Sequence, residues 1–174
     1  MYFFRIILTI FFVGLMLYWI LSVRPFQVSG NSMETTLYDG QIVLADRLSF
    51  RFKPLKRWEI IIYRDMQRDG EIKIKRVLGL PGEILQIVQW KVTLWWLEVS
   101  ESYLWKNTHT CLPGSCIDFS THTFNVPTQS YFVLGDNRAV SQDSRWCTDV
   151  ANCENKPPMY VPQKEIIGRV FFTW

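Results

Sequence analysis

The chain has 174 residues, of which 48% are hydrophobic and 16% aromatic, with a formal net charge of +3. That length suits one compact domain plus an appendage. The charge is too small and too scattered to argue for nucleic acid, and no internal repeat or low-complexity tract is present.

From Ile6 to Val23 the residues are apolar except Thr9, Gly14 and Ser22. At about 1.5 Å per residue such a helix just crosses a hydrocarbon core. Tyr18 and Trp19 sit near its far end, as interfacial anchors do. The exit, Ser22-Val23-Arg24-Pro25-Phe26, lacks a small-x-small cleavage pattern. An uncleaved single-span anchor over residues 1–24 is therefore expected, with residues 25–174 as the domain it carries. Arg5 and Arg24 nearly balance. The free terminal amine and the paired cysteines described below place the N-terminus in the cytoplasm and the domain outside.

Val28-Ser29-Gly30-Asn31-Ser32-Met33-Glu34-Thr35-Thr36-Leu37 follows the anchor. It is either a loop before the first strand or a site that exposes a side-chain oxygen beside free N–H groups. The pattern then becomes β-like. Strands are predicted over Gln41–Ala45, around Ile60–Tyr63 and over Glu71–Val77. The last alternates strictly, with Ile72, Ile74 and Arg76 on one face and Lys73, Lys75 and Val77 on the other. Arg47 to Arg57, between the first two strands, is basic and loop-like. Gly79-Leu80-Pro81-Gly82 marks a turn.

Glu83 to Leu97 is β-prone and carries Trp90, Trp95 and Trp96, which suit either a membrane interface or ordinary β-core packing. Ser100 to Phe124 reads as an irregular excursion, Tyr131–Leu134 as a strand, Trp146 to Pro158 as a second loop, and Ile166–Phe172 as a closing strand. No long stretch after the anchor shows a helical period, so the expected class is mainly antiparallel β.

The cysteines form two close pairs, Cys111 with Cys116 and Cys147 with Cys153. Neither has Cys-x-x-Cys spacing, and His109 and His122 complete no plausible zinc set. Local disulfides in an oxidising compartment are expected, and no metal.

A serine nucleophile needs a base. His109 and His122 lie in the excursion without a local acid, and both read as surface residues; no Gly-x-Ser-x-Gly elbow occurs. That leaves a lysine. Lys75 lies in an apolar strand beside Arg76, and burial and a positive neighbour both disfavour an ammonium. The alternative is an edge-strand lysine with its amine in water. Gly135 to Arg145 is a dense polar cluster after an apolar strand. It is either a solvated loop or a buried network, in which Asp136 would pair with Arg138 and Asp143 with Arg145, and Ser141 would hold a neutral lysine.

With these residues in view, the chain resembles type I signal peptidases, membrane-anchored Ser/Lys endopeptidases. Ser29-Gly30-Asn31-Ser32-Met33 with Thr36-Leu37 is similar to the family's nucleophile box, and Lys75-Arg76-Val77-Leu78-Gly79-Leu80-Pro81-Gly82-Glu83 to its lysine box. Gly135-Asp136-Asn137-Arg138, Ser141 and Asp143-Ser144-Arg145 resemble its last box, and Tyr160-Val161-Pro162 with Ile167-Gly168-Arg169 its closing strand. The resemblance implies Ser32 as nucleophile, Lys75 as general base, Ser141 as its orienting group, and Asp143 with Arg145 as a supporting ion pair, with Asp136 and Arg76 around them. It implies oxyanion donors at the backbones of Ser32 and Gly30, and a pocket for small substrate side chains lined by Val28, Met33, Leu37 and Ile74. Substrate would lie extended beside the strand carrying Lys75.

The implied fold is an antiparallel β catalytic core on one transmembrane helix, with a smaller inserted subdomain at about residues 86–123. The implied location is the inner (plasma) membrane, with the catalytic domain periplasmic or external. The implied partners are signal peptides of preproteins, or a dedicated pilin or secretion precursor, and membrane lipid. No cofactor is implied. Thr35 stands where proline is common, Trp58-Glu59 where Gly-Asp is usual, and Trp90 to Trp105 where an Asn-Gly hairpin is found. A non-catalytic anchored adaptor is the alternative, and the complete set of box residues argues against it.

Overall fold

The computed structural model describes residues 2–67, 70–106, 108–110, 121–145 and 158–174. The apolar start forms helix α1, Tyr2–Ser22, long and apolar enough to cross a membrane and exposed along its length up to Ser22. Strand β1, Val23–Gln27, follows directly. Its first residues, Val23 and Arg24, pair with Asp46 and Ala45 of β2, Ile42–Asp46. Arg47 N–H donates to Ser22 O at 2.8 Å and fastens the helix end to the sheet.

Every strand pairing is antiparallel among the described residues. The remaining strands of the large sheet are β3, Ile60–Asp65; β4, Glu71–Gly79; β9, Ser130–Leu134; β10, Val161–Pro162; and β11, Ile166–Thr173. Its order is β1-β2-β11-β3-β4-β9-β10. Strand β3 lies between β11 and β4, which is why its Ile60-Ile61-Ile62-Tyr63 run is buried throughout. Ile61 packs with Phe50, Val77 and Val133 on one face, and Ile62 with Val28, Met33 and Val43 on the other.

Strand β4 has two halves. It pairs with β3 from Glu71 to Arg76, but β9 joins its other side only at Arg76, opposite Leu134. Residues 71–75 therefore keep one edge unpaired among the described residues, while everything from Lys75 onward is buried. At the buried end, a Cβ on Gly79 would stand 2.8 Å from Phe132 Cβ, so the β4–β9 contact requires glycine there.

A second sheet, order β7-β6-β5-β8, is built from β5, Ile84–Val88; β6, Lys91–Leu94; β7, Leu97–Glu98; and β8, His122–Asn125. Leu85 and Phe124 pack this sheet against Phe132 and Leu134 of the large sheet. Its hairpins are present where no turn signal stood. Gln89-Trp90 (φ 46° and 65°) and Trp95-Trp96 (φ 50° and 70°) are two-residue turns in the left-handed region. Holding a bulky residue there costs roughly 1–2 kcal/mol. Trp90 gains a stacked partner, His109, at 4.6 Å, whereas Trp95 and Trp96 are exposed. The Arg47–Arg57 stretch also departs from expectation, since it contains helix α2, Ser49–Phe52, at whose start the Leu48 and Ser49 N–H groups donate to Asp46 Oδ1. Cys111, Cys116, Cys147 and Cys153 lie outside the described residues.

Candidate active site

Beyond β1 and β2 the chain closes a loop. Val28 N–H donates to Gln41 O (2.8 Å) and Gly40 N–H to Val28 O (2.9 Å). Within it, Glu34 N–H reaches Asn31 O and Leu37 N–H reaches Met33 O, so the segment coils tightly. Val28, Met33 and Leu37 are buried in the core below, and this leaves Ser32 half-buried on top.

Lys75 enters from β4. Its Nζ is hydrogen-bonded to Ser32 Oγ at 2.7 Å and donates to Ile74 O at 3.1 Å. The residue is only 4% exposed. Burial is the main cause that lowers its pKa from 10.5 to about 8. Lys73 and Arg145 push the same way, against Asp143 and Asp136. Arg76, the positive neighbour expected from the sequence, pairs with Asp136, and the cations that push Lys75 down are Lys73 and Arg145.

The Gly135–Arg145 stretch is the buried network rather than the solvated loop. Asp143 and Arg145 form the expected pair, Nε to Oδ1 at 2.8 Å and Nη2 to Oδ2 at 2.9 Å. Gly135 N–H also donates to Asp143 Oδ2. Burial alone would raise this carboxyl, but the Arg145 guanidinium, the Gly135 N–H and the Ser141 hydroxyl outweigh it and hold Asp143 below the ordinary carboxylate value. Asn137 N–H donates to Ser32 O at 3.1 Å. A Cβ on Gly135 would meet Ser141 Oγ at 2.1 Å and Ser32 O at 2.4 Å, so the loop lies directly against the serine segment.

The expected Asp136–Arg138 pair is not made. Asp136 is held by Arg76 (Nε to Oδ1 2.8 Å, Nη2 to Oδ2 2.5 Å) and accepts from the Thr36 hydroxyl. The reason is register: Arg76 lies opposite Leu134, two residues before Asp136. Arg138 turns instead to Glu101.

The whole chain, residues 1–174, matches the family described as Signal peptidase, peptidase S26. It belongs to that family. Signal peptidase I V of Bacillus subtilis (strain 168) is 37% identical over 126 residues, covering 69% of this chain and 73% of that one. Signal peptidase I of Leptolyngbya laminosa is 30% identical over 169 residues, covering 90% and 73%. A crystal structure of a signal peptidase I from Enterococcus faecalis V583 aligns at TM-score 0.48 with 28% identity, over 69% of this chain and 98% of that one. Family membership supports a signal-peptide-cleaving peptidase, and with α1 a membrane-anchored one.

Other signal-peptidase positions fall unevenly. Val28, Met33 and Ile74 line a groove of about 600 Å³ that also holds Ser32 and Lys75. Leu37 is not among its lining residues and is 0% exposed in the core beneath. Gly30 (φ 82°) donates its N–H to Asp39 Oδ1 at 2.7 Å, so that donor is already committed. The Ser32 N–H makes no hydrogen bond among the described residues. His109 and His122 belong to the second-sheet module: His109 is exposed and stacks on Trp90, while His122 is half-buried in β8.

Phe26, Val140 and Gln142 in the groove, and Thr36 on Asp136, were not foreseen. For Phe26 the signal was its place two residues before Val28 on an extended strand. No sequence signal marked the others as a set.

Proposed function

We propose that this signal-peptidase family member cleaves signal peptides, or a dedicated precursor, by a Ser32/Lys75 mechanism. The observation that carries it is the 2.7 Å contact between Ser32 Oγ and a lysine amine that is almost wholly buried. With a pKa of about 8, roughly a tenth of Lys75 is neutral at pH 7, against about 1 in 3,000 at the free value. Neutral Lys75 takes the Ser32 proton as Oγ attacks the scissile carbonyl. The oxyanion accepts from the Ser32 N–H. Lys75 then gives its proton to the leaving amine. An acyl-enzyme remains, and Lys75 next activates the water that releases it. Ser141 and the Asp143–Arg145 pair position the amine, while Arg76–Asp136 ties the loop to β4.

The unpaired edge of residues 71–75 fits an added substrate strand, and the Val28, Met33 and Ile74 wall favours small apolar side chains next to the cleaved bond. In the membrane, α1 would place the N-terminus in the cytoplasm and the groove at the outer face. The Phe171 ring lies 6.1 Å from that of Trp19 near the helix end, and exposed Phe171, Phe172 and Trp174 suit contact with lipid there. The test is incubation of the detergent-solubilised full chain with a labelled preprotein. Cleavage after a small residue by the wild type, abolished in Ser32→Ala, supports the reading; equal cleavage by both proteins refutes it.

A further inference from the structure

The segment after the second hairpin lies outside every family box, yet it supplies the partners of two arginines in the network. Arg138 has a side chain that is 0% exposed. Its Nη1 donates to Glu101 Oε2 at 3.1 Å, its Nη2 to Glu101 Oε1, and Nη1 also to Thr110 Oγ1. The Tyr103 hydroxyl donates to Glu101 Oε1 at 2.5 Å and accepts from Arg138 Nη2 at 3.3 Å. The face of the same ring carries the other arginine, with Arg76 Cζ 4.0 Å from its centroid. Burial and Glu101 raise the Tyr103 phenol, so it stays an O–H donor.

Arg138 also faces inward. Its Nε donates to Gly135 O at 3.1 Å, and its own carbonyl accepts from Arg145 Nη2 at 2.9 Å. Gly135 is the residue jammed against Ser32 O and Ser141 Oγ. A continuous set of contacts therefore runs from Glu101 through the Arg138 guanidinium to the backbone that touches the serine. A second runs from the Tyr103 ring through Arg76 to Asp136 and Thr36.

We propose that the described residues 101–106 and 108–110 act as a strap in which Glu101 and Tyr103 are positioning residues, holding the 135–145 loop at the distance from Ser32 and Lys75 that turnover requires. The inference rests on the Ser/Lys reading above. Neither residue touches Ser32 or Lys75; both act through Arg138 and Arg76. A buried guanidinium deprived of its carboxylate cannot stay where it is without water or a rearranged loop. The groups that face Lys75 are Asp136, Asp143 and Arg145 from that loop, Lys73 from its own strand and Ser32 from the serine segment. Loosening the strap admits water to the amine and disturbs these distances together.

The experiment uses the full chain in detergent and a peptide spanning a signal-peptide cleavage site, with wild type and Ser32→Ala in parallel. Glu101→Gln removes the charge at nearly constant shape. Its kcat should fall roughly 10- to 100-fold with KM within about twofold, as small misplacements of reacting groups do. The rising limb of kcat against pH should move upward as Lys75 is rehydrated, and Glu101→Asp should restore part of both. Tyr103→Phe keeps the ring, should lose less, and should shift the limb the same way; it decides the matter if Glu101→Gln does not fold. Folded variants with wild-type kcat, or with lowered kcat and an unmoved limb, would overturn the proposal and leave the strap a general stabilising contact. A wild type that does not cleave, or cleavage that survives Ser32→Ala, would instead count against the Ser/Lys reading itself.

Discussion

Gly135 and Ser32 are in such close approach that a single added methyl on the glycine would stand 2.4 Å from the serine's carbonyl oxygen. The same methyl would lie 2.1 Å from Ser141 Oγ. Neither neighbour can yield cheaply, because Ser32 O is backbone, itself held by Asn137 N–H, and Ser141 is buried. Gly135→Ala should therefore cost about 1–3 kcal/mol of stability by overpacking. Cleavage should fall by about 100-fold or more, because the displaced atoms belong to the site. Thermal melting beside a cleavage assay checks this. A folded Gly135→Ala with normal turnover would show that the loop can retreat without consequence.

Leu37 and Ile74 separate core from pocket. Leu37 is wholly buried, so Leu37→Ala should destabilise by about 2–5 kcal/mol without changing which residue precedes the cleaved bond. Ile74 lines the groove and is only partly buried. Ile74→Ala should melt close to wild type and accept larger side chains at the cleavage site. Cleavage of a substrate series with Ala, Val and Leu at that position distinguishes the two. The reverse pattern would put Leu37 back in the pocket.

Lys75 carries a stability cost that can be measured. Its folded pKa, about 8, lies below the free value, so between about pH 8 and 10.5 the unfolded state binds more protons than the native one. Stability should rise with pH across that window. Below it the full penalty is present, on the order of 3 kcal/mol. Lys75→Met removes the ionisable group at similar length. It should be inactive yet melt above wild type at pH 7, with the gap closing as pH passes 10. Melting curves at several pH values test this; a Lys75→Met variant that is less stable than wild type at pH 7 would argue against a penalised buried amine.

Much of the fold was legible in sequence because its signals are local. The Ile60–Tyr63 run, the alternation from Glu71 and the turn at Gly79–Gly82 each reflect a period or a breaker, and each appears within a residue or two of its predicted place. The hairpins were not legible, since Gln89-Trp90 and Trp95-Trp96 adopt left-handed turns without the residues that favour them. Packing of Trp90 on His109 overrides local preference at the first. The site divides in the same way. Spacing alone was not enough: Asp143–Arg145 is made, but the equally spaced Asp136–Arg138 is not, because Asp136–Arg76 depends on the register of β4 against β9. The Glu101–Arg138 pair joins residues from separate elements, with no periodic signal in between.

The most direct measurement of the central claim is cleavage rate against pH for wild type, Lys75→Arg and Lys75→His on folded, detergent-solubilised protein. Wild-type activity should rise with pH through a single limb near 8, where the buried amine loses its proton. Lys75→Arg keeps the charge and cannot deprotonate in this range, so it should be as inactive as Ser32→Ala. Any residual activity of Lys75→His should titrate at lower pH than wild type. Near-normal cleavage by Lys75→Arg would contradict a lysine base and return His109 and His122 to consideration.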